Sequence, residues 1–204
     1  MPNWKTHLEI SNRINKNYGF EGMEFKKFLF GSILPDINNS HIVKEISTKL
    51  NHEITHCFEE SSPSYLVFYK RYKKQIESKN PLFLGYVTHL YTDYTWNNNF
   101  YTEVKKRNYP ETDRVTLRIM KQSDFGVYNN KFEECCIEVN TIEEIETLYN
   151  ACLEISEVNV TKEDINRVIE FLKKKSFHEA DMQFYTIEEL DELLEKTVES
   201  LSKK

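Results

Sequence analysis

One segment of the chain, residues 82–96, constrains the fold more than any other. It reads Leu-Phe-Leu-Gly-Tyr-Val-Thr-His-Leu-Tyr-Thr-Asp-Tyr-Thr-Trp and follows Asn80-Pro81, a pair typical of a helix start. The predicted helix is apolar on nearly every face, so other elements must surround it. The 204-residue chain has only five glycines and five prolines, which favours helices over a sandwich or barrel. We therefore predict an all-α bundle, with a single domain over residues 1–204.

Apolar residues at helical spacing predict further helices on both sides of the central one. Before it, a capping box at Thr6 begins the first of four expected helices, at about residues 6–17, 21–34, 40–60 and 64–74. Pro35 should end the second helix and leave Asp36 just past it. Capping-box patterns at Thr141, Thr161 and Thr186 predict helices near 142–155, 162–175 and 187–201. Residues 108–136 should form one or two helices joined near Gly126.

Charge and composition argue against several classes of protein. The net charge is −6, and no basic stretch is strong enough to indicate binding to duplex nucleic acid. Charged residues occur throughout residues 1–30, and no run approaches the roughly 20 apolar residues of a membrane span. We therefore expect a cytoplasmic protein without a membrane span. The sequence leaves its oligomeric state open.

Two polar residues, His89 and Asp93, interrupt the apolar central segment. They are four residues apart, so they lie on one face of the helix. A buried aspartate costs several kcal/mol unless it is paired or bound to a metal. The two side chains therefore either form a hydrogen-bonded pair or belong to a metal site.

Three other residues favour a metal site over a simple pair. His7 and His56, like His89, follow a threonine, and Asp36 lies in an apolar context that is unusual for a solvated carboxylate. Histidine and carboxylate side chains suit zinc, although they accept other divalent metals as well.

The order of these motifs resembles the zinc-dependent phospholipase C family, whose structural relatives include zinc-dependent single-strand nucleases. The matching motifs, in chain order, are Thr6-His7, Gly31-x-x-x-Pro35-Asp36, Thr55-His56 and Leu84-Gly85-Tyr86-x-x-His89-x-x-x-Asp93. The resemblance extends over residues 5–97 and is not traced into the second half of the chain.

The resemblance implies an all-helical fold with one or two zinc ions in a cleft. It implies that Asp36, His56, His89 and Asp93 surround one ion, and that Asp93 bridges to a second ion held by His7. It also implies that the chain hydrolyses a small phosphodiester or a phospholipid-like substrate through a metal-bound hydroxide. Asp36, both a ligand and a neighbour of the attacking water in the family, is then the candidate general base.

The chain departs from the family at the ligands of a third metal. Family members with a third ion carry another histidine shortly after the aspartate and a later His-x-x-x-Glu. Here residues 94–99 contain no histidine, and His178 is the only later one. His178, together with a neighbouring acidic residue, is therefore the candidate for an additional metal site.

Two alternatives stay open at this point. His52-Glu53-x-x-His56 matches the zincin protease pattern, in which two histidines on one helix face bind zinc and the glutamate acts as a base. His52 is in either case a possible further metal ligand. The second alternative is a non-catalytic helical scaffold in which a metal, or a His/Asp network, only stabilises the bundle.

Overall fold

The computed structural model describes residues 2–39, 42–59, 63–109, 114–174 and 177–203, and these ranges are helical or irregular without a β-strand. The all-α prediction is therefore confirmed. Eleven α-helices lie within these ranges: α1 (Trp4–Tyr18), α2 (Gly22–Gly31), α3 (Leu34–Ile37), α4 (His52–Thr55), α5 (Tyr65–Arg71), α6 (Lys73–Glu77), α7 (Pro81–Lys106), α8 (Arg114–Asn129), α9 (Ile142–Cys152), α10 (Lys162–Lys173) and α11 (Ile187–Ser202).

The predicted central helix is α7, which begins as the sequence indicates. The Asn80 side chain accepts a hydrogen bond from the backbone N–H of Leu82, and Pro81 occupies the first turn. The helix then passes through two hydrophobic clusters. Its residues up to Leu90 belong to the first cluster, and those from Trp96 onward belong to the second. His89 and Asp93 therefore lie where α7 passes from one apolar core to the other.

The closest contact of α7 is with α2, and two glycines make it possible. A Cβ atom added at Gly85 would lie 2.1 Å from the Phe28 carbonyl oxygen, and one added at Gly31 would lie 2.2 Å from the Leu82 carbonyl oxygen. Only glycine fits at both positions, because the neighbouring atoms belong to backbone that cannot rotate away. The contact holds the end of α2 directly against the polar face of α7.

Three expectations for the first half of the chain are wrong. The helix expected over 40–60 is reduced to α4 in the described part of that range, and Ser40, His41 and Glu60 lie outside the described residues. Pro35 does not end a helix but occupies the first turn of α3, which contains Asp36. The helix α1 begins at Trp4 rather than at a Thr6 capping box, because Trp4 is already buried in the core.

The second half follows its capping signals more closely. Thr141, Thr161 and Thr186 each form a capping box with the residue three positions later. Of the one or two helices expected over 108–136, the described part forms a single α-helix, α8, which continues through Gly126. No helix of the described chain is both long enough and apolar enough to cross a bilayer.

Candidate metal centre

The five residues predicted as metal ligands come together in one buried cluster. His7 comes from α1, Asp36 from α3, His56 from the end of α4, and His89 and Asp93 from α7. All five are buried, and every side chain except that of Asp36 has no exposed surface. Because these elements are far apart in sequence, the packing of α7 against its neighbours creates the cluster.

Three of these residues, His56, His89 and Asp93, form one possible metal-binding group, and Asp36 lies beside it. His56 Nε2 lies 3.4 Å from Asp36 Oδ1 and 3.4 Å from Asp93 Oδ2. His89 Nε2 lies 3.3 Å from Asp93 Oδ2 and 3.3 Å from His56 Nε2, whereas Asp36 Oδ2 is 3.9 Å away. A tetrahedral zinc ion with bonds of about 2.0–2.1 Å holds its donor atoms about 3.3–3.4 Å apart. The donor set therefore fits a zinc ion.

The fifth residue of the cluster, His7, lies beside the other carboxylate oxygen of Asp93, Oδ1. His7 Nε2 lies 3.4 Å from Asp93 Oδ1, and its ring stacks on that of His89 with centroids 4.0 Å apart. Within the described chain, both carboxylate oxygens of Asp93 and both ring nitrogens of His7 are buried without a hydrogen-bond partner. Buried polar atoms without partners are costly, and a metal would satisfy them. The two carboxylate oxygens of Asp93 face different histidines, so one carboxylate could contribute to two metal sites.

Backbone and side-chain partners fix the orientation of two histidines. His89 Nδ1 lies 2.8 Å from the Ser32 carbonyl oxygen, which can only accept, so the hydrogen is on Nδ1 and Nε2 is left as the ligand atom. His56 Nδ1 lies 3.0 Å from the hydroxyl of Thr55. The carbonyl of Thr55 accepts a hydrogen bond from the buried hydroxyl of Tyr86. Tyr86 therefore links α7 to the segment that carries His56.

Replacing Tyr86 with phenylalanine should weaken metal binding without disrupting the core. The ring of Tyr86 stacks on Phe68, with centroids 4.2 Å apart, and phenylalanine keeps that contact. The lost hydrogen bond leaves the Thr55 carbonyl unpaired, so we expect about 1–3 kcal/mol of destabilisation. Zinc affinity should fall by about 10-fold, in the range for residues that support a ligand. The Tyr72→Phe variant removes a buried hydroxyl bonded to Glu157 instead, so its zinc affinity in the same titration should be unchanged.

The cluster is electrostatically arranged around its two carboxylates. Burial by itself raises the pKa of Asp36 and Asp93, but the neighbouring histidines outweigh it and hold both pKa values below their usual range. Burial lowers the pKa of His56, whereas the two nearby carboxylates raise it, to about 9 in the metal-free protein. The pKa of His7 is lowered to about 4 by burial and by His89. His7 is therefore neutral at neutral pH, while His56 is protonated.

Zinc binding should consequently release a proton from His56. A histidine must be a neutral imidazole to bind a metal, and His56 keeps its proton up to its raised pKa of about 9. Near pH 8 we expect release of about one proton per zinc ion from this group, and zinc affinity should rise with pH below 9. Calorimetry in two buffers of different ionisation enthalpy measures the release, and a His56→Gln variant should lack this proton. Equal proton release by the variant and the wild type would contradict the assignment.

The zincin pattern does not form a zincin arrangement. His52 and His56 do lie side by side, with ring centroids 3.7 Å apart, and His52 forms a possible metal-binding group with Asp36 and His56. Glu53, which would be the base of a protease, is exposed instead. His56 faces the two aspartates and His89, which the protease alternative leaves unexplained.

His178 lies apart from this cluster. Its ring packs against Gly126 on α8, its backbone is bonded to the Asn130 side chain, and the residue is exposed. It belongs to none of the possible metal-binding groups formed by the described residues. The structure therefore gives no support to an additional metal site at His178.

A cleft of about 1230 Å³ reaches the cluster through one of its carboxylates. Asp36, which is 7% exposed, lines this cleft, whereas Asp93 is fully buried. His52, Asn39 and Phe58 lie on the same side. Sequence reasoning singled out the residues of the cluster but missed the roles of Ser32 and of the basic residues that line the cleft, because hydrogen bonds to backbone and contacts across the fold leave no local motif.

An all-helical fold with a buried His/Asp cluster suited to zinc defines the class of this protein. Residues 6–150, more than half of the chain, match the family described as zinc dependent phospholipase C. The chain therefore belongs to this zinc-dependent family, which confirms the resemblance and extends it beyond residue 97. No curated protein and no solved structure matches the chain significantly.

Proposed function

We propose that this protein is a zinc-dependent phosphoric ester hydrolase that cleaves a phosphodiester of the phospholipid type. The observation that supports this most strongly is the zinc-like spacing of His56, His89 and Asp93, with Asp36 beside them at the end of an open cleft. We further propose that His7 and the second oxygen of Asp93 hold another ion, which gives two zinc ions per chain. Bound zinc supplies Lewis acidity toward a phosphoryl group and toward water.

The protein's own residues have distinct roles in this proposal. Asp93 lies at the centre of the cluster, and its burial keeps bulk water away from the ligands. Ser32 and Thr55 orient the rings of His89 and His56. Asp36 is the carboxylate of the cluster that reaches the cleft, and Asn39 donates a hydrogen bond of 3.3 Å to its Oδ1. The Asp36 carboxylate can accept a proton from water in the cleft.

The Asp36→Asn variant tests this role. An amide of nearly the same shape cannot accept the proton, so turnover of a phosphodiester should fall by about 100-fold or more. Because Asp36 is also a ligand, zinc content must be measured in the same samples and activity compared at equal occupancy. Phosphatidylcholine in mixed micelles and a soluble chromogenic phosphodiester are the substrates to compare.

A non-catalytic scaffold predicts a different result. Zinc would then raise the melting temperature of the wild type, while neither class of substrate would be hydrolysed above the metal-free control. Asp36→Asn would lower zinc content and melting temperature together. That combination would overturn the proposed activity and leave a structural metal site.

A further inference from the structure

One wall of the cleft, formed by α7 and α8, is unexpectedly basic. Four basic side chains of α7 and α8 line it: Lys105, Arg114, Arg118 and Lys121. Among the described residues that line the cleft, Asp36 is the only carboxylate. The chain as a whole has a net charge of −6, so this wall has the opposite sign to the rest of the molecule.

The ion pairs among the described residues do not include the basic residues of this wall. In the rest of the described chain, basic side chains commonly pair with a carboxylate, as in Arg13–Glu9, Lys26–Glu144, Lys131–Asp191 and Arg167–Glu163. None of the four cleft residues forms such a pair with a described carboxylate. Cationic side chains that line a cleft without a described carboxylate partner are available to a ligand.

Lys121 is the most informative of the four because it is buried. The residue is only 8% exposed. Its ammonium group donates a hydrogen bond to Asn97 Oδ1 at 3.0 Å, and the ammonium nitrogen lies 5.0 Å from the ring centroid of Phe100. A lysine is seldom buried without an ionic partner, because losing water costs several kcal/mol. Burial lowers the pKa of Lys121, whereas the carboxylate of Asp93 raises it. Lys121 is therefore close enough to the His/Asp cluster to interact with its charge.

Arg114, Arg118 and Lys121 share one face of α8. They are spaced by four and three residues, so their side chains follow each other along the cleft. Arg118 is close enough to lower the pKa of Lys121, as a neighbouring cation does. Two or more cations within one cleft favour a ligand with more than one negative charge.

We propose that Lys121 and Arg118 bind an anionic group of the substrate outside its scissile phosphodiester. This inference rests on the proposed function and names its substrate class, a phosphodiester with a second negatively charged group. A phosphorylated headgroup fits this wall, whereas the quaternary ammonium of a choline headgroup would meet like charge. Lys121 and Arg118 are therefore assigned as specificity-determining residues.

Binding of two soluble headgroup compounds to the zinc-loaded protein tests the proposal. Glycerophosphoinositol 4-phosphate carries a second phosphate, glycerophosphocholine carries a quaternary ammonium, and both contain the phosphodiester. Calorimetry should show at least about 10-fold tighter binding of the inositol compound by the wild type. Lys121→Met and Arg118→Gln should each remove much of this preference, by weakening binding of the inositol compound and not of the choline compound, which loses a repulsive charge.

Two controls keep the result interpretable. Lys131→Met removes a lysine that also lies over an aromatic ring, that of Tyr128, but outside this cleft, so the preference should persist. Arg118 is exposed, so Arg118→Gln tests the wall even if the variant at buried Lys121 folds poorly. Equal affinity for the two compounds in the wild type, or a preference that Arg118→Gln leaves intact, would overturn the proposal.

Hydrolysis assays separate this inference from the proposed function. With micelles of phosphatidylinositol 4-phosphate or phosphatidylcholine, we expect the anionic lipid to be cleaved faster, by a factor that falls in both variants. Cleavage of both lipids at rates that the variants do not change would refute the inference and retain the hydrolase. Lys121-dependent binding of the inositol compound without hydrolysis of either lipid would retain the anion site and refute the hydrolase.

Discussion

Replacing Asp93 with asparagine should lower zinc affinity by more than about 100-fold, because the Asp93 carboxylate lies beside all three histidines of the cluster that are proposed to bind zinc. Asp93 Oδ2 lies 3.3 Å from His89 Nε2 and 3.4 Å from His56 Nε2, and Oδ1 lies 3.4 Å from His7 Nε2. The loss of residues that merely support a ligand costs 10- to 100-fold, so the loss of a shared ligand should cost more. A 100-fold loss removes up to about 2.7 kcal/mol of the stabilisation that zinc provides.

A second buried aspartate provides the matched control. Asp124 is fully buried and accepts hydrogen bonds from the backbone N–H groups of Gln183, Phe184 and Tyr185 at 2.7–2.8 Å. Asp124→Asn should therefore lower the melting temperature while zinc affinity, measured by competition with a chelator, stays at the wild-type value. Equal loss of affinity in the two variants would mean that the effect of Asp93 is structural.

The Gly85→Ala substitution should destabilise the fold strongly, because the contact between α2 and α7 leaves no room for an added methyl group. The added Cβ would lie 2.1 Å from the carbonyl oxygen of Phe28, so α2 and α7 would have to separate. Overpacking of this kind costs about 3 kcal/mol, which corresponds to roughly 6–12 °C in melting temperature for a chain of this size. Zinc affinity should fall as well, because the Ser32 carbonyl that orients His89 lies at the end of the displaced helix.

Gly126→Ala is the corresponding control in another helix. There the added Cβ meets the ring of His178, at 2.9 Å, rather than backbone. The exposed His178 side chain can move away, and alanine is the better helix former, so the net change should be within about 1 kcal/mol. Thermal unfolding of the two variants would contradict this account of the α2–α7 contact if Gly85→Ala were as stable as Gly126→Ala.

The sequence predicted the parts of the fold that depend on strong local signals. Asn80-Pro81 and the apolar run after it define α7, and threonines with an acidic residue three positions later define the starts of α9, α10 and α11. The five residues of the buried His/Asp cluster were also singled out in advance, since histidine and aspartate side chains are conspicuous in apolar surroundings, and their role as metal ligands stays a prediction. Their arrangement could be expected only from the resemblance to a family.

Other features depend on contacts that no local pattern encodes. The segment 40–60 has apolar residues at helical spacing, which predicted a helix. In the structure, the backbone carbonyl of Asn38 accepts a hydrogen bond from Leu50 N–H, and the Asn38 side-chain amide donates one to the Thr48 carbonyl. These bonds hold the described part of the segment in an irregular path. Long-range hydrogen bonds of this kind override weak helix propensity. The basic wall was missed for a related reason, because Lys105 and Lys121 belong to different helices and meet only at the cleft. That the chain is one domain over its whole length stays a prediction.

The most direct test of the metal centre is elemental analysis of the protein purified without an affinity tag or added metal. Wild-type protein should carry one to two equivalents of zinc per chain, and a His89→Ala variant should carry little or none while its helical content is retained. Wild-type protein that binds no zinc even after incubation with the ion and dialysis would contradict the account. His89 and Asp93 would then be a buried structural pair, and the proposed hydrolase would have no centre.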